Sequence, residues 1–80
     1  MERNEILTGL TNIYKEVLNN SNVVIEESML IGDFDSWDSI AQMLLIANVE
    51  EKFGVKFKLK EVNSLKTIGD IISLIVEKQK

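Results

Sequence analysis

The 80-residue chain has no cysteine and no histidine. The first absence excludes disulfides, thiolate zinc sites and a cysteine nucleophile, and the second removes the commonest general base and transition-metal ligand. Any thiol must be brought in from elsewhere. Aromatic residues are scarce, 6% of the chain against 45% hydrophobic, a balance that suits a small helical core of Leu, Ile and Val rather than an aromatic-rich sandwich. No stretch approaches the roughly 18 apolar residues of a membrane span, and the charged start "MERNEILTGL" lacks the apolar run of a signal peptide. The expectation is a cytoplasmic protein without membrane insertion. Positive charge is also short: nine Lys and Arg stand against thirteen Asp and Glu, for a formal charge of -4. That excess argues against nucleic-acid phosphates and anionic membranes as partners and favours basic protein surfaces. The length predicts one domain, residues 1–80, expected as a monomer.

What is present is helical periodicity. Ile6, Leu7, Leu10, Ile13, Tyr14, Val17 and Leu18 recur at steps of one, three and four, predicting a helix over about 3–18. "NNSN" at 19–22 ends it, because Asn and Ser side chains compete for backbone hydrogen bonds. Over 23–38 no period is sustained, which predicts a long ordered loop with a helical turn near 26–30, pinned by its large apolar residues. Asp38 as N-cap and Gly54 as left-handed C-cap bound a second helix over about 39–53. "VKFKLK" at 55–60 alternates like a strand, but a lone short strand has no partner, so it is read as an extended loop burying Val55, Phe57 and Leu59. A short helical turn at 61–64 follows. Thr67 and Asp70 then form a capping box ahead of a last helix over about 68–78, whose inner face is Ile68, Ile71, Ile72, Ile75 and Val76. The fold class is all-α: three main helices and a short fourth.

The second helix carries two apolar sets. Leu45, Ile46, Val49 and Phe53 form one face, assigned to the core, while Ile40, Met43, Leu44 and Ala47 form another. One helix therefore asks for two partners, either because it is buried on most sides or because it presents a recognition face. That second face begins beside Ser39. A serine next to an aspartate at a helix start is ordinarily a capping residue. With Asp38 as the cap, however, Ser39 takes the first helical position, its hydroxyl faces solvent, and a group attached to it sits at the positive end of the helix dipole.

Across nearly its whole length the chain resembles the acyl carrier protein family. The resemblance rests on "DSWDSIAQMLLIANVEEKFGVKF" followed by "SLKTIGDIISLI". In that family an Asp-Ser-Leu or Asp-Ser-Ile motif opens helix two, an apolar helix runs to Glu-Glu-x-Phe-Gly, and a Thr-(Ile/Val)-x-Asp step opens the last helix. The matching residues are Asp38-Ser39-Ile40, Glu50-Glu51-Lys52-Phe53-Gly54 and Thr67-Ile68-Gly69-Asp70. The resemblance implies a four-helix carrier domain that stands alone, with a 4'-phosphopantetheine arm from coenzyme A on Ser39. A separate phosphopantetheinyl transferase would install the arm, in keeping with a chain that has no histidine to activate a serine itself. The arm would supply the missing thiol, and the protein would be a shuttle rather than an enzyme.

By the same resemblance Asp38 helps engage the transferase as well as capping the helix. Ile40, Met43 and Ala47 match positions that meet partner enzymes, which are activating, condensing or acyltransferase enzymes. Leu44 departs from the family's usual acid and makes this face more apolar. Asp33, Asp35, Glu50 and Glu51 would steer basic partners, against the alternative of an ordinary solvated surface. Trp37, unusual before the Asp-Ser pair, is expected to anchor the loop, with partner contact as the second possibility. Two alternatives stay open: an aminoacyl or peptidyl carrier, and an unmodified helical module docking one permanent partner. A calcium loop in "DFDSWD" is excluded, since its fifth, sixth and twelfth positions hold Trp37, Asp38 and Leu44. No metal ligands or catalytic residues are expected in the chain itself.

Overall fold

A computed structural model describes residues 2–80 as four helices: α1 (Arg3–Leu18), α2 (Ser39–Phe53), α3 (Leu59–Ser64) and α4 (Ile68–Lys78). Among the described residues there is no strand, only an isolated antiparallel bridge between Leu30 and Thr67. No described helix is long and apolar enough to cross a membrane.

The core follows the helical stripes. Ile6, Leu10, Ile13 and Tyr14 of α1 meet Leu45, Val49 and Phe53 of α2 and Ile68, Ile71, Ile72 and Ile75 of α4, all buried. Two small residues complete the contact. Ala41 is buried where α2 turns inward, and at Gly9 a Cβ would stand 2.7 Å from the Phe53 ring, so the glycine lets the two helices approach. Neither carries enough hydrophobic signal to be seen in the periodicity.

In the 19–38 connection the turn expected near 26–30 is a single hydrogen-bonded turn rather than a turn of helix, with Met29 N–H donating to the Glu26 carbonyl at 3.1 Å. Val23 and Ile25 alternate inward and are buried. The next stretch is stitched to the start of α4: Gly69 N–H donates to the Glu27 carbonyl, Ile68 N–H to Met29 and Ile31 N–H to Lys66, at 2.9 to 3.0 Å. The Arg3 guanidinium joins the same corner, pairing with the Glu27 carboxylate and donating to Ser73 Oγ at 3.1 Å.

Two further expectations are corrected. Leu59 is not in the core: it is 77% exposed, because it opens α3, which begins two residues earlier than the expected turn. Glu61 explains the earlier start, since its carboxylate accepts the Lys58 N–H at 2.8 Å and caps the first turn. Ile46, assigned to the inner face of α2, is only half-buried and lies on the α3 side with Met43 and Ala47. The remaining inner positions of α2 are as expected.

Candidate functional site

The N-terminus of α2 is built by Asp38. Its backbone is extended (φ -135°), so its side chain turns back and Oδ1 accepts the Ala41 N–H at 2.8 Å. The Gln42 N–H closes the first helical hydrogen bond onto the Asp38 carbonyl at 3.0 Å. The N–H groups of Ser39 and Ile40 lie ahead of that bond, at the positive end of a 15-residue helix. Ser39 is exposed as the first helical residue. An exposed primary hydroxyl beside free N–H donors accommodates a covalently attached phosphodiester, so the geometry fits a phosphopantetheine.

The approach to Ser39 is held by three aromatic rings. Trp37 stacks on Tyr14 of α1 at a centroid distance of 5.4 Å, and Phe34 tilts against both at 5.1 Å and 6.0 Å. The buried Tyr14 hydroxyl donates to the Ile31 carbonyl at 2.7 Å, and burial raises its pKa above the usual phenol value. Gly32 lies against the indole so closely that a Cβ there would be 2.7 Å from Trp37 Cδ1. Trp37 Nε1 in turn donates to Gln42 Oε1 at 3.1 Å, bridging over Asp38 and Ser39. The tryptophan thus ties the loop to α1 on one side and to α2 on the other. Nothing local in the sequence signals this cluster, because Tyr14 is 23 residues from Trp37 and its ring is indistinguishable there from any other core residue.

The second face of α2 is open. Ile40 and Met43 are 66% and 71% exposed, Leu44 is half exposed, and Ala47 is exposed with them. Across a shallow apolar groove of about 280 Å³ on the α3 side stand Leu59 and Val62. On the other flank of α2, between the end of α1, the loop and the first turns of α2, lies a larger cleft of about 490 Å³ with polar and apolar walls. Asp33 and Asp35 are exposed near the serine, whereas Glu50 and Glu51 part company. Glu50 turns back and its Oε2 accepts the Phe57 N–H at 2.8 Å, while Glu51 remains exposed.

Comparison with known proteins bears on this geometry directly. Residues 9–75 match the family model described as phosphopantetheine attachment site, a span that contains Asp38 and Ser39. The chain is 40% identical over 75 residues to an acyl carrier protein of Renibacterium salmoninarum, covering 94% of this chain and 93% of that one. It is 41% identical over 76 residues to an acyl carrier protein of an Arthrobacter species, with the same coverage of both chains. Among solved structures it superposes on the solution structure of the holo acyl carrier protein from Geobacter metallireducens. That match has a TM-score of 0.81 and 34% identity, and covers 91% of this chain and 84% of that one. A serine-bearing helix start, an open α2 face and matches across almost the full length agree: the chain belongs to the phosphopantetheine-binding acyl carrier protein family.

Proposed function

We propose that Ser39 carries the 4'-phosphopantetheine arm on which this acyl carrier protein holds its cargo. The observation that supports it is the division of labour at the helix start: Asp38 takes the cap, leaving the Ser39 hydroxyl exposed beside unpaired N–H groups. When bound, the arm supplies the thiol that this cysteine-free chain lacks, and acyl groups ride on it as thioesters. The chain's own residues position and present; they catalyse nothing. Residues 1–80 act as one carrier domain in the cytoplasm, loaded by a phosphopantetheinyl transferase.

Asp38 serves both as cap and as a carboxylate at the transferase contact. Ile40, Met43, Leu44 and Ala47 form the face that meets activating, condensing or acyltransferase enzymes, with Asp35 and Glu51 steering basic surfaces toward it. Methionine suits such a face, since its flexible side chain repacks against different partners. Glu50 accepts the Phe57 N–H at the far end of α2 and lines the groove beside Met43 and Ala47, while Trp37, packed on Tyr14 and Phe34 and bonded to Gln42, anchors the loop that leads to Ser39. The matched relatives are acyl carrier proteins, which favours an acyl over an aminoacyl cargo. The test is mass spectrometry after incubation with coenzyme A, magnesium and a broad-specificity transferase. The wild-type chain gains one phosphopantetheine and Ser39→Ala gains none; addition that persists in Ser39→Ala would overturn the assignment.

A further inference from the structure

Charge is unevenly divided along the chain. From Glu16 to Glu51 there are eight acidic residues and no Lys or Arg, whereas residues 52–80 hold seven lysines against three acids. The fold carries this division onto α2. Asp35 and Asp38 stand at its Ser39 end, and Lys56, Lys58 and Lys60 follow Gly54 at the other end of a helix about 20 Å long. All three lysines are exposed, and among the described residues no salt bridge involves them. Val55 is buried and Phe57 packs against the core, which sends Lys56 and Lys58 to the solvent side of the extended segment. Lys58 and Lys60 flank Leu59, which lines the groove with Met43, Ile46 and Ala47, so they border the open face of α2. The acids at that end leave them uncancelled: Glu61 pairs with Lys78, Glu50 accepts the Phe57 N–H, and Glu51 stands on the α1 side with Asn12 and Glu16.

We infer that Lys56, Lys58 and Lys60 form a second docking contact, opposite in sign to the first, that fits an acidic patch on the enzymes lying along α2. The inference rests on the α2 face being the partner surface. Ile40, Met43, Leu44 and Ala47 give contact area but no direction, since apolar attraction is non-directional. Acid at one end and base at the other supply it. A partner with cations near its active-site mouth and carboxylates further out is attracted in one orientation and repelled in the reverse. A bilayer or a nucleic acid fits less well. The acid-rich half of the chain repels both, and with Val55 and Phe57 turned inward only Leu59 is left to enter a membrane.

The test uses synthetic helical peptides that share a leucine-rich middle and differ at their ends: lysines at one end with glutamates at the other, or lysines at both. Binding is followed by amide NMR shifts of the full chain at physiological ionic strength, where net charge is screened beyond about 8 Å. The mixed peptide should bind several-fold more tightly than the all-lysine one and shift Lys56, Lys58 and Lys60 together with Ile40 and Met43. A spin label on its lysine end should broaden Asp35 rather than Lys58. Lys56→Gln, Lys58→Gln and Lys60→Gln combined, all at exposed positions, should abolish the preference. Equal or tighter binding of the all-lysine peptide, or a preference unchanged in the triple variant, would overturn the second contact and leave the α2 face in place. Peptides that bind without shifting Ile40, Met43 and Ala47 would overturn the face as well. Tighter binding to phosphatidylglycerol vesicles than to the mixed peptide would overturn the acidic protein partner in favour of a membrane.

Discussion

Ser36 holds a φ of 66°, a left-handed conformation that a residue with a Cβ adopts at a cost, three positions ahead of Ser39. The strain is met by the ring cluster on either side, since Phe34 and Trp37 are both packed on Tyr14. Ser36→Gly is expected to raise stability by a few tenths to about 1 kcal/mol, the relief of strain being partly offset by glycine's larger unfolded-state entropy. A higher urea midpoint with unchanged slope checks it. Gly32 presents the opposite case. Its φ does not demand glycine, but the indole does: a methyl group there must displace Trp37, as overpacking of a fixed ring. Gly32→Ala is expected to cost about 1–3 kcal/mol. Because the chain has a single tryptophan, its emission reports the displacement without a label, and an unshifted spectrum with unchanged stability would count against the packing described.

At the scale of elements, capping decides where the helices begin and end. Asp38 starts α2, Gly54 stops it in the left-handed region with φ 65°, and Thr67 starts α4 by accepting the Asp70 N–H at 3.1 Å. Thr67→Ala is expected to lower stability by about 1 kcal/mol, visible as a lower thermal midpoint, with Thr67→Ser retaining most of it. These caps are also why much of the fold is legible in the sequence. The bounds of α1, α2 and α4 follow from Asn, Asp, Gly and Thr at fixed offsets from apolar stripes, and they agree with the structure residue for residue. The short α3 is less legible. Apolar alternation at Val55, Phe57 and Leu59 implies three inward residues, but Glu61 caps a helix whose first residue is Leu59 and so turns that side chain outward. Ile46 fails for a related reason: a helix flanked on both sides offers apolar residues more than one destination, and periodicity does not choose among them. The Asp38 cap and the exposed place of Ser39 behind it are readable from spacing, whereas the aromatic scaffold behind them depends on contacts between residues far apart in the chain.

For the molecule as a whole, two carboxylates tie separate segments together, Glu27 to Arg3 and Glu61 to Lys78, while a third, Asp70, closes the cap of its own helix. Glu27 is held below its ordinary pKa of 4.5 by the Arg3 guanidinium. Glu61 is held down by the Lys58 N–H and then by Lys78, and Asp70 by the N–H groups of Thr67 and Lys66. In each case the folded state holds its proton less tightly than the unfolded chain does. Their contribution is therefore complete above the unfolded values near 4.5 and 3.8 and is lost as pH falls through the lower folded ones. Urea midpoints should be level between pH 7 and 5 and decline below about 4.5. Glu27→Gln should flatten part of that decline, and an equal slope in the variant would remove Glu27 from the account. These groups lie at the surface, so added salt should shrink the α1-to-loop and α3-to-α4 pairings without touching the core. The Trp37–Gln42 bridge has its own consequence at this scale. The residues around Ser39 owe their shape to a ring on α1 and the Gln42 side chain in the first turns of α2, so the motif is not portable. A peptide reading GDFDSWDSIAQ would carry every letter of the site and offer a modifying enzyme an ensemble instead of a target, which makes folding itself the first proofreading step before the arm is attached.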